Sequence, residues 1–280
     1  MSWRSLLFVP GDRPDRMDKA RATAADALIL DLEDAVSADR KPEARAAIAA
    51  FLAEPRRQTV FVRINPLDSP FWEHDVSALA ANTPPDGIML PKAEGGASLG
   101  RLAARLDQSF PPETRILPIA TETPAAMFQL GTYGGVTPRL AGLTWGAEDL
   151  PAAIGAATSR ETDGRYTPPY EMARALTLFG AHAAGVPAID TVFPDFRDLA
   201  GLAAYANRAA RDGFSGMMAI HPGQVSAINA AFTPTEAARA QAQRVVEAFA
   251  ASASAGAISL DGRMLDAPHL KQAQRLLSRP

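Results

Sequence analysis

Cysteine does not occur in this 280-residue sequence. Disulfides, thiolate nucleophiles and zinc or iron–sulfur centres with cysteine ligands are therefore excluded. No apolar run approaches the roughly 20 residues that span a bilayer. The opening MSWRSLLFVPGDRPDR has a short apolar stretch that gives way at once to Pro-Gly and charges, unlike a secretory signal peptide. A cytoplasmic protein is the expectation. A large excess of either charge is also missing: 28 Lys and Arg against 31 Asp and Glu leave a formal net charge of −3. A body-wide basic field for nucleic acid is thus absent, and any anion site has to be local. Histidine is scarce, with four in all, and no pair has zinc-binding spacing. What is present, 47% hydrophobic and 21% charged residues, suits a folded chain with a real core. The length allows one large domain or two small ones.

Short, nearly continuous apolar runs recur at Ser5–Val9, Ala27–Leu32, Val60–Ile64, Gly87–Leu90, Arg115–Ala120, Leu140–Trp145, Ala188–Phe193 and Gly216–Ile220. Continuous rather than alternating apolarity marks parallel strands covered on both faces. Between the runs lie Ala-rich segments of helical period, such as Pro42–Leu52, Leu99–Leu106 and Leu199–Ala210. Eight such units with right-handed crossovers favour an α/β fold of the TIM, or (β/α)8, barrel type over an open sheet. The long interval from Asp149 to Val186 contains a Gly/Thr/Pro-rich loop, Ser159–Pro169, and then a helix over about Tyr170–Ala184. Helices at Val225–Phe232 and Glu236–Ala250 complete a catalytic domain over 1–250. A small-residue linker, Ala251–Ala257, opens a tail over 251–280 with a turn at Asp261–Gly262 and a helix over His269–Leu277.

Chemistry in such barrels sits at the C-terminal ends of the strands. There the sequence places Pro10-Gly11-Asp12-Arg13, Asp31-Leu32-Glu33-Asp34, Arg63, Lys92, Glu122, Glu148-Asp149, Asp195 and His221. Any one of them could be a helix cap or a solvated loop residue. Glu122 and Asp149 lie one βα unit apart, so both can face one mouth. Two carboxylates with oxygen-only company suit Mg²⁺, which keeps several waters or substrate oxygens. The alternative has Asp149 capping the following helix and Glu122 facing solvent. Arg63 ends an apolar strand and needs a carboxylate partner, either Glu33 or Asp34 nearby or a substrate carboxylate in a bidentate fork. Arg13, Arg16, Lys19 and Arg21 could bind an anion at the rim, or form a solvated helix face paired with Asp15 and Asp18.

The segments SLLFVPGDRP, ALILDLEDAV, FVRIN, the Glu of ATETP, GAEDL, AIDTVFPDF, GFSGMMAIHPGQV and DGRMLDAPHLKQA occur in this order. Together they resemble the HpcH/HpaI aldolase/citrate lyase family, in its citrate lyase β-subunit-like branch with the malyl-CoA, methylmalyl-CoA and citramalyl-CoA lyases. The likeness runs from the first strand to the tail. It implies a Mg²⁺-dependent barrel, a homotrimer or homohexamer, that cleaves or forms C–C bonds of 3-hydroxyacyl-CoA thioesters, coenzyme A arriving as part of the substrate.

Residue by residue, the resemblance implies Glu122 and Asp149 as metal ligands and Arg63 as the group that grips the keto-acid end. Phe8, Arg13 and Lys19 match coenzyme A contacts, and Ile220 with His221 match a further substrate-contacting pair. Glu148, beside the metal ligand in GAEDL, is grouped with the substrate contacts, and Glu33 and Asp34 stand behind Arg63. Asp266 matches an aspartate that a neighbouring subunit supplies as general acid/base, so the tail is expected to act as a lid. On its own spacing Asp266 could equally be a plain turn or helix-cap residue. Incomplete closure would let the thioester hydrolyse, giving a thioesterase side activity. Alternatives are the citrate lyase β-subunit acting on an acyl-carrier-protein thioester, a coenzyme A-independent pyruvate aldolase, or a non-catalytic barrel that binds coenzyme A esters. Relatives working in the carrier-protein complex often lack the tail. The proline after Thr123 and the loop before Pro169 depart from the family pattern.

Overall fold

In the computed structural model, which describes residues 3–252 and 256–279, strands and helices alternate from the start. The order is β1 (Ser5–Pro10), α1 (Pro14–Arg21), β2 (Ala27–Asp31), α2 (Lys41–Ala53), β3 (Thr59–Arg63), α3 (Trp72–Ala80), β4 (Gly87–Leu90) and α4 (Gly95–Leu106). It continues with β5 (Arg115–Pro118), α5 (Pro124–Met127), β6 (Leu143–Thr144), α6 (Asp149–Ile154), α7 (Pro168–Ala183), β7 (Ala188–Asp190), α8 (Leu199–Asp212) and β8 (Gly216–Ala219). Then follow α9 (Val225–Phe232), α10 (Glu236–Ala251), β9 (Ala257–Leu260), β10 (Arg263–Asp266) and α11 (Ala267–Leu277).

The first eight strands form one parallel sheet in the order β5-β4-β3-β2-β1-β8-β7-β6. Parallel bridges Ile116↔Leu140 and Ile119↔Thr144 join its two edges, so the sheet closes as the expected barrel. At that seam the strands are shorter than their apolar runs, because pairing is reduced to these bridges. Residues alternate between two cores, as the two-residue period of a strand requires. Leu7, Val9, Leu28, Leu30, Val60 and Val62 face the helices. Leu6, Ala27, Ile29, Phe61, Met89, Leu117, Ile119, Ile189 and Met218 fill the barrel, with Trp3 packed edge-on against Phe61.

The tail is more structured than its sequence suggests. Strands β9 and β10 pair antiparallel across a turn in which Asp261 and Gly262 both have positive φ, 51° and 74°, the geometry of a two-residue hairpin. The hairpin and α11 pack on α10, burying Ala242, Val245 and Ala273. Helix α10 runs through Ala251, and of the proposed linker, residues 253–255 lie outside the described residues.

Candidate active site

The period that fills the barrel also aims its charged residues. Asp31 follows inward-facing Ala27 and Ile29 on β2, and Arg63 follows inward-facing Phe61 on β3. The two are register partners, and a bidentate pair forms, Arg63 Nε and Nη2 donating to the two Asp31 oxygens at 2.7 Å each. Arg63 Nη1 also reaches Glu33 at 2.8 Å, while Asp34 stands at 3.9 Å and is mostly exposed. The partner of Arg63 is thus chiefly Asp31, which the sequence reading did not name; of the two it did name, Glu33 is engaged and Asp34 only peripheral. The guanidinium lies 5.0 Å from the Phe8 ring centre, a distance at which the ring face attracts a cation.

Burial would raise the Asp31 carboxyl, but the charge and hydrogen bonds of Arg63, with backbone N–H donors of Glu33 and Ala35, hold it below the usual range. Glu33 is pushed upward by burial despite Arg63 and Lys92. Burial would weaken the Arg63 charge, yet Asp31 and Glu33 more than offset it and raise its pKa.

Glu122 is buried at the mouth, at 4% exposure, so it does not face solvent. Its Oε2 accepts the Lys92 backbone N–H at 2.6 Å. Gly146 is required beneath it: a Cβ there would stand 2.8 Å from Glu122 Cγ. Burial, with the charges of Asp149 and Glu33, pushes Glu122 up to about 8. Asp149 opens α6 without capping it; its Oδ1 accepts from Lys92 Nζ at 3.2 Å, and the same ammonium donates to Glu33 Oε1 at 2.6 Å.

Arg63, Glu122 and Asp149 all line one cavity of about 460 Å³, together with Phe8, Arg16, Asp31, Asp34, Glu148, Ile119, Val192, Met218 and Ile220. In its charged ring four carboxylates (Asp31, Glu33, Glu122, Asp149) meet two cations (Arg63, Lys92). The surplus of carboxylates over cations, and a buried Glu122 carboxyl pushed upward, fit a cation between Glu122 and Asp149. Among the described residues no three or more His, Cys, Asp or Glu side chains form a closed cage. The pair would therefore leave most positions to water or substrate oxygens, the habit of Mg²⁺.

A buried network holds the loop that carries Asp149. Asp190 faces outward from β7 and accepts from Trp145 Nε1 at 2.6 Å, Arg174 Nε at 3.0 Å and Tyr205 Oη at 3.1 Å. The loop before α7 folds over it: Tyr166 packs edge-on against Trp145, and Arg160 donates to the Tyr166 hydroxyl at 2.7 Å.

Other expected residues lie elsewhere. Arg13 closes on Asp15 at 2.9 Å and Lys19 is exposed on α1, and neither lines the cavity; Arg16 does. Among the described residues Arg16 has no ion pair. Arg21 turns away to the Phe51 and Pro55 carbonyls. Glu148 lines the cavity but is exposed. His221 accepts the Gly223 N–H and stacks on Phe196 at 4.9 Å, outside the cavity wall that Ile220 joins. Asp266 caps α11, paired with His269, and does not line its own chain's cavity. Lys92 and Asp31 were placed at the strand ends but assigned no role in the site; the positive φ of Lys92, 48°, has no sequence signature.

Known proteins resemble this chain over nearly its whole length. The pattern of the HpcH/HpaI aldolase/citrate lyase family matches residues 4–222. A citrate lyase subunit beta-like protein of Mycobacterium tuberculosis is 38% identical over 273 residues, covering 98% of this chain and 94% of that protein. The L-malyl-CoA/beta-methylmalyl-CoA lyase of Rhodobacter capsulatus is 34% identical over 293 residues, covering 97% and 92%. The crystal structure of CitE from M. tuberculosis in complex with magnesium, acetoacetate and coenzyme A superposes with a TM-score of 0.83 at 35% identity, covering 99% of this chain and 98% of that one. The chain belongs to the HpcH/HpaI aldolase/citrate lyase family.

Proposed function

We propose that the chain is a Mg²⁺-dependent lyase that cleaves or forms the carbon–carbon bond of a 3-hydroxyacyl-CoA thioester, of the malyl-CoA or citramalyl-CoA type. The observation that carries the reading is the convergence of Glu122, Asp149 and Arg63 on one cavity. Relatives named as malyl-CoA lyase and a neighbour holding magnesium and coenzyme A support it. Bound Mg²⁺ supplies Lewis acidity and a template for the oxygens of an α-keto acid.

The chain's own residues do the rest. Glu122 and Asp149 hold the cation. Arg63, already oriented by Asp31, presents positive charge to the keto-acid fragment, whose oxygen carries alkoxide charge before the C–C bond breaks and gains it as the bond forms, without reorganising at the moment of reaction. Phe8, Ile119, Val192, Met218 and Ile220 give an apolar wall suited to a thioester methyl or methylene, and Arg16 at the rim suits the phosphates of coenzyme A. Asp266 of a neighbouring subunit in a homotrimer or homohexamer is the general acid/base, since its own chain's hairpin keeps it off the cavity.

The test is a panel of hydroxyacyl-CoA esters with Mg²⁺, read by mass spectrometry. Release of an acyl-CoA and an α-keto acid, lost with a chelator, is the expected result. Free coenzyme A with intact hydroxy acid would identify a thioesterase, and no product from any ester would overturn the reading.

A further inference from the structure

Lys92 contacts Glu33, Glu122 and Asp149 through its side chain and backbone N–H, yet it does not line the cavity. It follows β4 with φ of +48°, a conformation that costs a non-glycine residue about 1 kcal/mol or more and persists where the surroundings fix it. That conformation has two results. The backbone N–H points at Glu122 Oε2, 2.6 Å away, and the side chain runs back so that Nζ lies 2.6 Å from Glu33 Oε1 and 3.2 Å from Asp149 Oδ1. Glu33 in turn holds Arg63 at 2.8 Å. One residue thus links both candidate cation ligands to the arginine.

From this juxtaposition we infer that Lys92 is the positioning residue of the site: it fixes the Glu122 and Asp149 carboxylates on either side of one cation position and locks that position to Arg63 through Glu33. The inference rests on the reading of Glu122 and Asp149 as cation ligands.

The rival account makes Lys92 a mere counter-charge, and the two differ in sign. A counter-charge 3.2 Å from Asp149 opposes an incoming cation, so deleting it would tighten Mg²⁺ binding. A positioning group holds the ligand carboxylate in place, so deleting it loosens binding, by about tenfold or more for groups that orient metal ligands.

The experiment is calorimetric titration of Mg²⁺ into the full-length protein, comparing wild type, Lys92→Met, Lys92→Gly and Glu122→Gln, with unfolding curves in chelator. Lys92→Met keeps the backbone N–H and the apolar stem. Lys92→Gly suits the left-handed backbone and carries the test if the methionine variant does not fold. Both are expected to bind Mg²⁺ about tenfold or more weakly, and Glu122→Gln to bind none detectably. Binding by the folded Lys92 variants that is unchanged, tighter, or weakened less than about threefold overturns the inference. Wild-type affinity in Glu122→Gln overturns the underlying cation reading instead, whatever the Lys92 variants do.

Discussion

Replacing Arg63 with Met keeps an apolar stem but removes the guanidinium that lies over Phe8, and its cost can be worked from its partners. Asp31 is 2% exposed and Arg63 12%, so neither charge is rehydrated by a simple shift of side chain. Asp31 keeps only the backbone donors of Glu33 and Ala35, and Glu33 keeps Lys92. Removing one partner of a buried, bidentate pair costs about 3–5 kcal/mol, most of it the penalty of the carboxylate left behind. At roughly 2–4 °C per kcal/mol for a domain of this size, melting falls by roughly 6–20 °C. The pH dependence follows from the lowered Asp31 pKa. A carboxyl held below its unfolded value contributes stability above that value and loses it as pH falls through the folded one. The unfolded value is common to both proteins, so the gap between wild type and Arg63→Met is full above the folded Asp31 pKa of the variant, which loss of Arg63 raises, and narrows as pH falls from there toward the lowered wild-type value. Urea unfolding followed by circular dichroism across pH 3.5–7 measures both quantities. A gap under about 1 kcal/mol at pH 7, or one that widens in acid, would refute the reasoning.

Further outcomes are expected at other points of the site. Gly146→Ala puts a methyl 2.8 Å from Glu122 Cγ, and should cost about 1–3 kcal/mol in chemical unfolding while weakening Mg²⁺ binding in calorimetry. Trp145→Phe leaves the buried Asp190 carboxylate short of its 2.6 Å donor and should lower stability by about 2–3 kcal/mol, with the 159–167 loop more open to protease. Asp266→Asn should abolish turnover of the responsive coenzyme A ester while sparing Mg²⁺ binding. Mixed and reassembled with inactive Glu122→Gln subunits, it should regain part of that activity, because one intact site can combine two chains; no recovery despite subunit exchange would remove the in-trans role.

Much of the barrel is legible because burial on both faces writes each strand as an apolar run. Gly87–Leu90 ends where its run ends, and Glu122 and Asp149 are adjacent because their strands are. Arg63 was legible as a buried cation in need of a partner. Its pairing with Asp31 was not, because that requires the register between β2 and β3 as well as the identity of the strands. Lys92 was hidden for a backbone reason: a left-handed lysine looks like any other lysine after Pro91. Arg174 sits in an ordinary amphipathic helix, and only the fold shows that it meets Asp190 in the core. Charged residues on α1 illustrate the opposite failure, since helical phase brings Arg16 rather than Arg13 or Lys19 to the cavity. In the tail the turn at Asp261–Gly262 was legible, but the strands β9 and β10 beside it were not, because their residues alternate too weakly, with only half-buried positions on one face.

A crystal grown with Mn²⁺ and pyruvate offers the most direct test, through the anomalous signal of the metal. The account predicts one peak at about 2.0–2.2 Å from a carboxylate oxygen of each of Glu122 and Asp149, with the pyruvate carboxylate turned toward Arg63. A peak at another place, or pyruvate seated with no metal between those two carboxylates, would contradict it.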